Sequence, residues 1–127
     1  MNERVRAELE WLRTGFPDAE FLEDVLWARI PSYPLPEALW GRSSCELAFR
    51  VVLPGQPPYG FWVRPGLSLL DGRPIQNYSY PVATGFGEGW GQFSWGPEEW
   101  VPRAAVRRGA NMLVWARSFA LRLAEGA

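Results

Sequence analysis

Apolar residues recur at helical spacing near both ends of the chain and at alternating spacing between them. Val5, Leu9 and Leu12 share one face, which predicts a helix from Asn2 or Glu3 to about Arg13. Glu3 and Glu8 lie toward its start and Arg13 at its end, as the helix dipole favours. Gly15 and Pro17 stop it, and Asp18 is placed to cap a short turn through Glu23. Near the other end Met112, Trp115, Phe119 and Leu123 recur at three- and four-residue spacing. They predict a last helix capped by Asn111 and ended by Gly126. A shorter helix is expected over Pro102 to Arg108, with Pro102 in its first turn.

The middle reads as strands. In Val25 to Ile30, Leu26, Ala28 and Ile30 face one way and Val25, Trp27 and Arg29 the other. The following PSYPLPEALWG segment holds Pro31, Pro34 and Pro36, which lack ladder donors, so it is expected to skirt the sheet. Cys45 to Leu53 gives the clearest alternation, with Cys45, Leu47, Phe49, Val51 and Leu53 on one face. Pro54-Gly55 ends it. Tyr59 to Arg64 follows as another strand, so the pair suggests an antiparallel meander. From Pro65 to Pro102 the periodicity dissolves into seven glycines and many aromatics. A long irregular, glycine-rich cover packed by its own aromatics is expected there. The order helix, strands, irregular cover, helix predicts an α+β fold. The 127 residues, 47% hydrophobic, read as one domain over 1–127.

Composition narrows the chemistry. The chain has no histidine and no lysine, so its 13 basic residues are all arginines, and Cys45 is its single cysteine. The usual base near neutral pH and the amine nucleophiles are therefore missing. Fourteen acids against 13 arginines argue against a general nucleic-acid binder. The aromatic stretch also lacks arginines between Pro74 and Pro102, so base stacking is not expected. No zinc-type cluster, cofactor motif, leader or membrane span is read from the sequence. A lone cysteine fits a reducing cytoplasm. Residues 103 to 125 carry five arginines against Glu125 alone, while 1 to 25 hold seven acids. That asymmetry suits either a partner or a solvated helix face.

Few side chains are left as catalytic candidates. Cys45 opens a strand on an apolar face, where a thiol is more often inert core than nucleophile. Ser94, between Phe93 and Trp95, lacks a histidine or lysine base. Glu88, Glu98 and Glu99 are acids near the aromatic stretch, but no spacing singles out a pair for hydrolysis. The densest feature, GFGEGWGQFSWGPEEW over Gly85 to Trp100, is either an exposed recognition surface or a flap completing the core.

These elements resemble the ubiquitin-conjugating enzyme (E2) fold, and more closely the bacterial E2-like proteins. The resemblance rests on the first helix at 3 to 13 and the strand Leu47 to Leu53 ending in Pro54. It rests further on Pro57-Pro58-Tyr59 before Phe61, Trp62 and Val63, on Trp100-Val101-Pro102, and on the helix at 111 to 124. It spans nearly the whole chain and implies a first helix, a meander, a long irregular segment and a C-terminal helix. In conjugating enzymes the cysteine lies about eight positions before that tryptophan. Here that position is Gln92. The histidine-proline-asparagine motif lacks its histidine, and Asn77 lies too far before Gln92 to replace its asparagine directly.

The resemblance therefore implies a non-catalytic variant without cofactor. It would bind a conjugating-enzyme-like, activating-enzyme-like or ubiquitin-like protein, in a bacterial conjugation system often found in antiphage settings. Arg4, Arg6, Trp62, Trp90 and Trp95 are the candidate partner-binding residues. Two alternatives stay open. One is an active enzyme forming an oxyester at Ser94, or a displaced thioester at Cys45. The other is an unrelated tryptophan-rich peptide- or ligand-binding module.

Overall fold

A computed structural model describes residues 2–52 and 56–126. Helix α1 spans Glu3–Gly15. Asn2 starts it by accepting from the backbone N–H groups of Arg4 and Val5. Strands β1 (Glu20–Leu22) and β2 (Trp27–Pro34) follow, then a single turn, α2 (Glu37–Trp40), and β3 (Ser44–Arg50). After β4 (Phe61–Arg64), β5 (Tyr78–Thr84) and β6 (Gly87–Phe93) form a hairpin. One 3-10 turn at Val106–Arg108 precedes α3 (Met112–Glu125). Asn111 accepts from Val114 N–H at the start of α3, and Gly126, at φ +84°, closes it.

Among the described residues the six strands form one antiparallel sheet in the order β1-β2-β3-β4-β6-β5. Both long helices contribute to the same core cluster, which lies on one face of the sheet. Val5, Leu9 and Leu12 of α1 and Met112, Trp115, Phe119 and Leu123 of α3 meet Leu47, Phe49, Phe61, Val63 and Phe93. Phe119 stacks on Phe61 at 4.4 Å and meets Trp115 edge-on at 4.8 Å. The alternation of β3 and β4 gives the opposite face its own cluster of Trp27, Ala48, Trp62 and Trp90. Partly buried Leu22, Val82 and Phe86 pack against this second cluster.

The mixed α+β architecture, with terminal helices flanking an antiparallel sheet, follows the expectation. Three local readings are corrected. Residues 65–102 are not wholly irregular, because β5 and β6 lie within them. The proline segment does not leave the sheet: β2 runs through Pro31 to Pro34, with a register shift between Ile30 and Tyr33. A short edge strand, β1, stands where a turn was expected. The clearest predicted strand ends at Arg50, and its expected end at Leu53 and the Pro54-Gly55 turn lie outside the described residues.

Candidate functional site

Cys45 points from β3 into the helix-side core and is 3% exposed. Burial pushes its thiol up to about 12, against a weaker opposite pull from Arg42. A neutral, enclosed thiol is a poor nucleophile. Gln92 sits in β6, opposite Trp62 of β4 and Ser79 of β5. The position that the resemblance gives to a nucleophile is thus a paired position within the sheet.

Ser94 lies just past the end of β6. Its N–H donates to the Asn77 carbonyl at 2.8 Å, and the two residues share a small notch with Gln76 and Arg122. The hairpin therefore brings Asn77 beside Ser94 despite their separation in sequence. The described lining of this notch supplies no carboxylate to act as base.

Trp62 and Trp90 do not form an exposed recognition surface, being 7% and 0% exposed. Trp27 meets Trp62 edge-on at 4.7 Å. The guanidinium of Arg64 lies 4.5 Å from the Trp90 ring, and that of Arg50 lies 4.9 Å from Trp27. The tip of the β5–β6 hairpin closes over them. A Cβ at Gly85 would meet the Trp27 ring at 2.5 Å. Four strands are tied across this face by Glu20–Arg29 at 3.1 Å, Arg29–Glu46 at 3.5 Å and the Arg64–Glu46 ion pair.

Arg4 is engaged within the fold. It bonds the Arg103 carbonyl and pairs with Glu8 at 3.6 Å. Arg6 is exposed. A cleft of about 510 Å³ separates α1 from the 104–108 segment, lined by Glu10, Trp11, Arg107 and Arg108 among small residues. Arg107 already stacks on Trp11 at 4.8 Å within it.

Trp95 is the tryptophan candidate that reaches the surface. It stacks on Trp115 at 5.1 Å and 13°, while Trp100 meets Trp115 edge-on at 6.3 Å. These rings floor a groove of about 270 Å³ beside α3, walled by Val114, Ser118 and Leu121. Val114 and Leu121 are 52% and 68% exposed. They follow i, i+4, i+7 spacing with Ser118, so α3 carries this stripe beside its core stripe. Residue spacing alone pointed to the core stripe and missed this one.

The proline-proline-tyrosine segment adjoins the same region. Gly60 N–H donates to the Trp95 carbonyl at 2.7 Å. A Cβ at Gly96 would lie 2.9 Å from the ring of exposed Tyr59. Pro58 is buried and Pro57 exposed. Past Trp100, the Val101 carbonyl accepts from Ala110 at 2.9 Å, so the segment holding Pro102 loops back to the start of α3.

Among the described residues no group of three or more histidine, cysteine, aspartate or glutamate side chains is placed to hold a metal ion. No described helix is long and apolar enough to cross a membrane. The chain matches no family model, no curated protein and no solved structure.

Proposed function

We propose that the protein is a non-catalytic scaffold with a conjugating-enzyme-like frame, serving a bacterial ubiquitin-like conjugation system through protein–protein contacts. The carrying observation is that the proline-proline-tyrosine landmark meets the aromatic stretch leading to Trp100 through the Gly60–Trp95 hydrogen bond, at a surface with no thiol. The chain's one cysteine is sealed in the core. The helix–meander–helix order supports the same reading, with β1 to β4 consecutive in the sheet. A complex with a conjugating-enzyme-like, activating-enzyme-like or ubiquitin-like protein encoded beside its gene is expected by calorimetry. Absence of binding to all three classes would remove the reading.

A specific contact favours a second reading. Ser94 N–H donates to the Asn77 backbone carbonyl, so an asparagine and a hydroxyl-bearing residue line one notch at the end of β6. In an active enzyme Ser94 Oγ would attack the activated carboxyl carbon of a ubiquitin-like tail. It would form an ester, expel the thiolate or adenylate that carried the tail and give its proton to solvent. Intact-mass measurement after reaction with activating enzyme, ATP and the ubiquitin-like protein tests this. An adduct lost in Ser94→Ala and kept in Cys45→Ala identifies the ester.

The β5–β6 hairpin, which adds two strands beyond β4, favours the remaining alternative of an unrelated binding module. A solved complex whose partner contacts neither landmark segment would move the protein to that class.

A further inference from the structure

We infer that the groove between residues 95–100 and α3 receives a protein segment carrying one large apolar side chain flanked by lysine or arginine. The inference rests on the reading of the protein as a binding scaffold, and it names that scaffold's contact surface and the chemistry of its partner.

The floor is aromatic. Trp95 and Trp100 are partly buried against Trp115, which is itself 2% exposed. Such rings offer large, rigid contact area, and tryptophan is enriched where binding energy concentrates. The wall is the outer stripe of α3, where Val114 and Leu121 remain largely uncovered by the fold. Apolar surface of this kind gains free energy when a partner removes it from water. The groove volume, about 270 Å³, falls below the roughly 300–1,000 Å³ common for small-molecule sites. An inserted side chain suits it better than a cofactor.

Charge defines what must flank that side chain. The ionisable residues lining the groove are Glu98 and Glu99, both exposed. Arg122 packs its guanidinium 4.8 Å from the Trp95 ring and lines the separate Ser94 notch. Arg117 points instead toward Gly15 of α1. The rim is therefore acidic and the floor apolar. A cationic residue beside the inserted side chain would meet Glu98 and Glu99, whereas an acidic neighbour would be repelled.

Selection from a random dodecapeptide library displayed on phage tests the inference, with the full chain as bait. The expected consensus has an aromatic or large aliphatic residue with lysine or arginine within three positions. The selected peptide should lose about tenfold or more in affinity for the double variant Glu98→Gln, Glu99→Gln, and again for Val114→Ser, Leu121→Ser. All four residues are exposed, so both variants should keep the parental unfolding midpoint, which is measured alongside. An absent consensus, an acidic one, or affinity unmoved by both variants would overturn the inference. The same variants separate it from the conjugation reading. A conjugation complex that ignores them keeps that reading and removes the groove, while a groove-dependent peptide with no conjugation complex does the reverse.

Discussion

The buried carboxylate of Glu8 on α1 accepts a hydrogen bond from the backbone N–H of Met112, the first residue of α3, at 3.0 Å. That N–H has no acceptor within its own helix. Glu8 thus caps α3 from α1 and fixes how the two pack over the sheet. Burial raises its carboxyl above the ordinary 4.5, while the Met112 bond and Arg4 pull the other way.

Glu8→Ala should cost about 1–2 kcal/mol, because the Met112 donor loses its partner. Glu8→Gln keeps a carbonyl acceptor and removes the charge. Below about 4.5 wild-type Glu8 is protonated in both folded and unfolded chains. As pH rises through the raised folded value, the unfolded chain has already released a proton that the folded one still holds, so stability falls. Denaturant titrations across pH 4 to 8 should therefore show Glu8→Gln gaining on wild type as pH rises. A pH-independent difference would contradict the shift.

Cys45 should resist thiol reagents in the folded protein and react only on unfolding. Ellman's reagent at pH 8 gives the rate, with the denatured chain as reference. A native rate approaching the denatured one would show that the thiol is reachable, contrary to its 3% exposure. Cys45→Ser would put a hydroxyl against the apolar core and cost about 1–3 kcal/mol.

The helices were legible because their signals are local. Asn2, Asn111 and Gly126 cap them, and three- and four-residue spacing marks their buried faces. The faces of β3 and β4 were equally plain from alternation. The β5–β6 hairpin was hidden by its composition. Gly87, Gly89 and Gly91 occupy alternate positions of β6, so one face carries almost no apolar signal. The phenol of Tyr78 takes the space that a Gly91 side chain would need. Pro81 disguised β5, an edge strand where proline is tolerated. Within the site, sequence singled out Trp90 and Trp95 together. Their burial differs because Trp90 lies within β6 on the face that packs with Trp27, Ala48 and Trp62, whereas Trp95 follows the strand's end. That distinction depends on the hairpin itself.

Gly85→Ala tests the closure of that hairpin over Trp27. The new methyl would overlap the ring, and overpacking of this kind costs roughly 1–3 kcal/mol. Near-ultraviolet circular dichroism should change through the Trp27–Trp62 pair while far-ultraviolet signal persists. An unchanged aromatic spectrum with unchanged stability would mean that the tip does not rest on the tryptophans.

Tyr33→Phe tests the attachment of α3 to the sheet. The phenol donates to the Ala116 carbonyl at 2.5 Å from a site 1% exposed. Its loss should cost about 0.5–1.5 kcal/mol in a denaturant titration, with the slope of unfolding unchanged. A neutral substitution would place the hydroxyl elsewhere.

Native mass spectrometry tests the scaffold proposal most directly, with the protein mixed with ATP and the activating-enzyme-like, conjugating-enzyme-like and ubiquitin-like proteins encoded beside its gene. A complex containing the chain is expected, returning the unmodified 14.4 kDa polypeptide on denaturation. A covalent adduct that survives denaturation, or no complex at all, would contradict a non-catalytic scaffold of such a system.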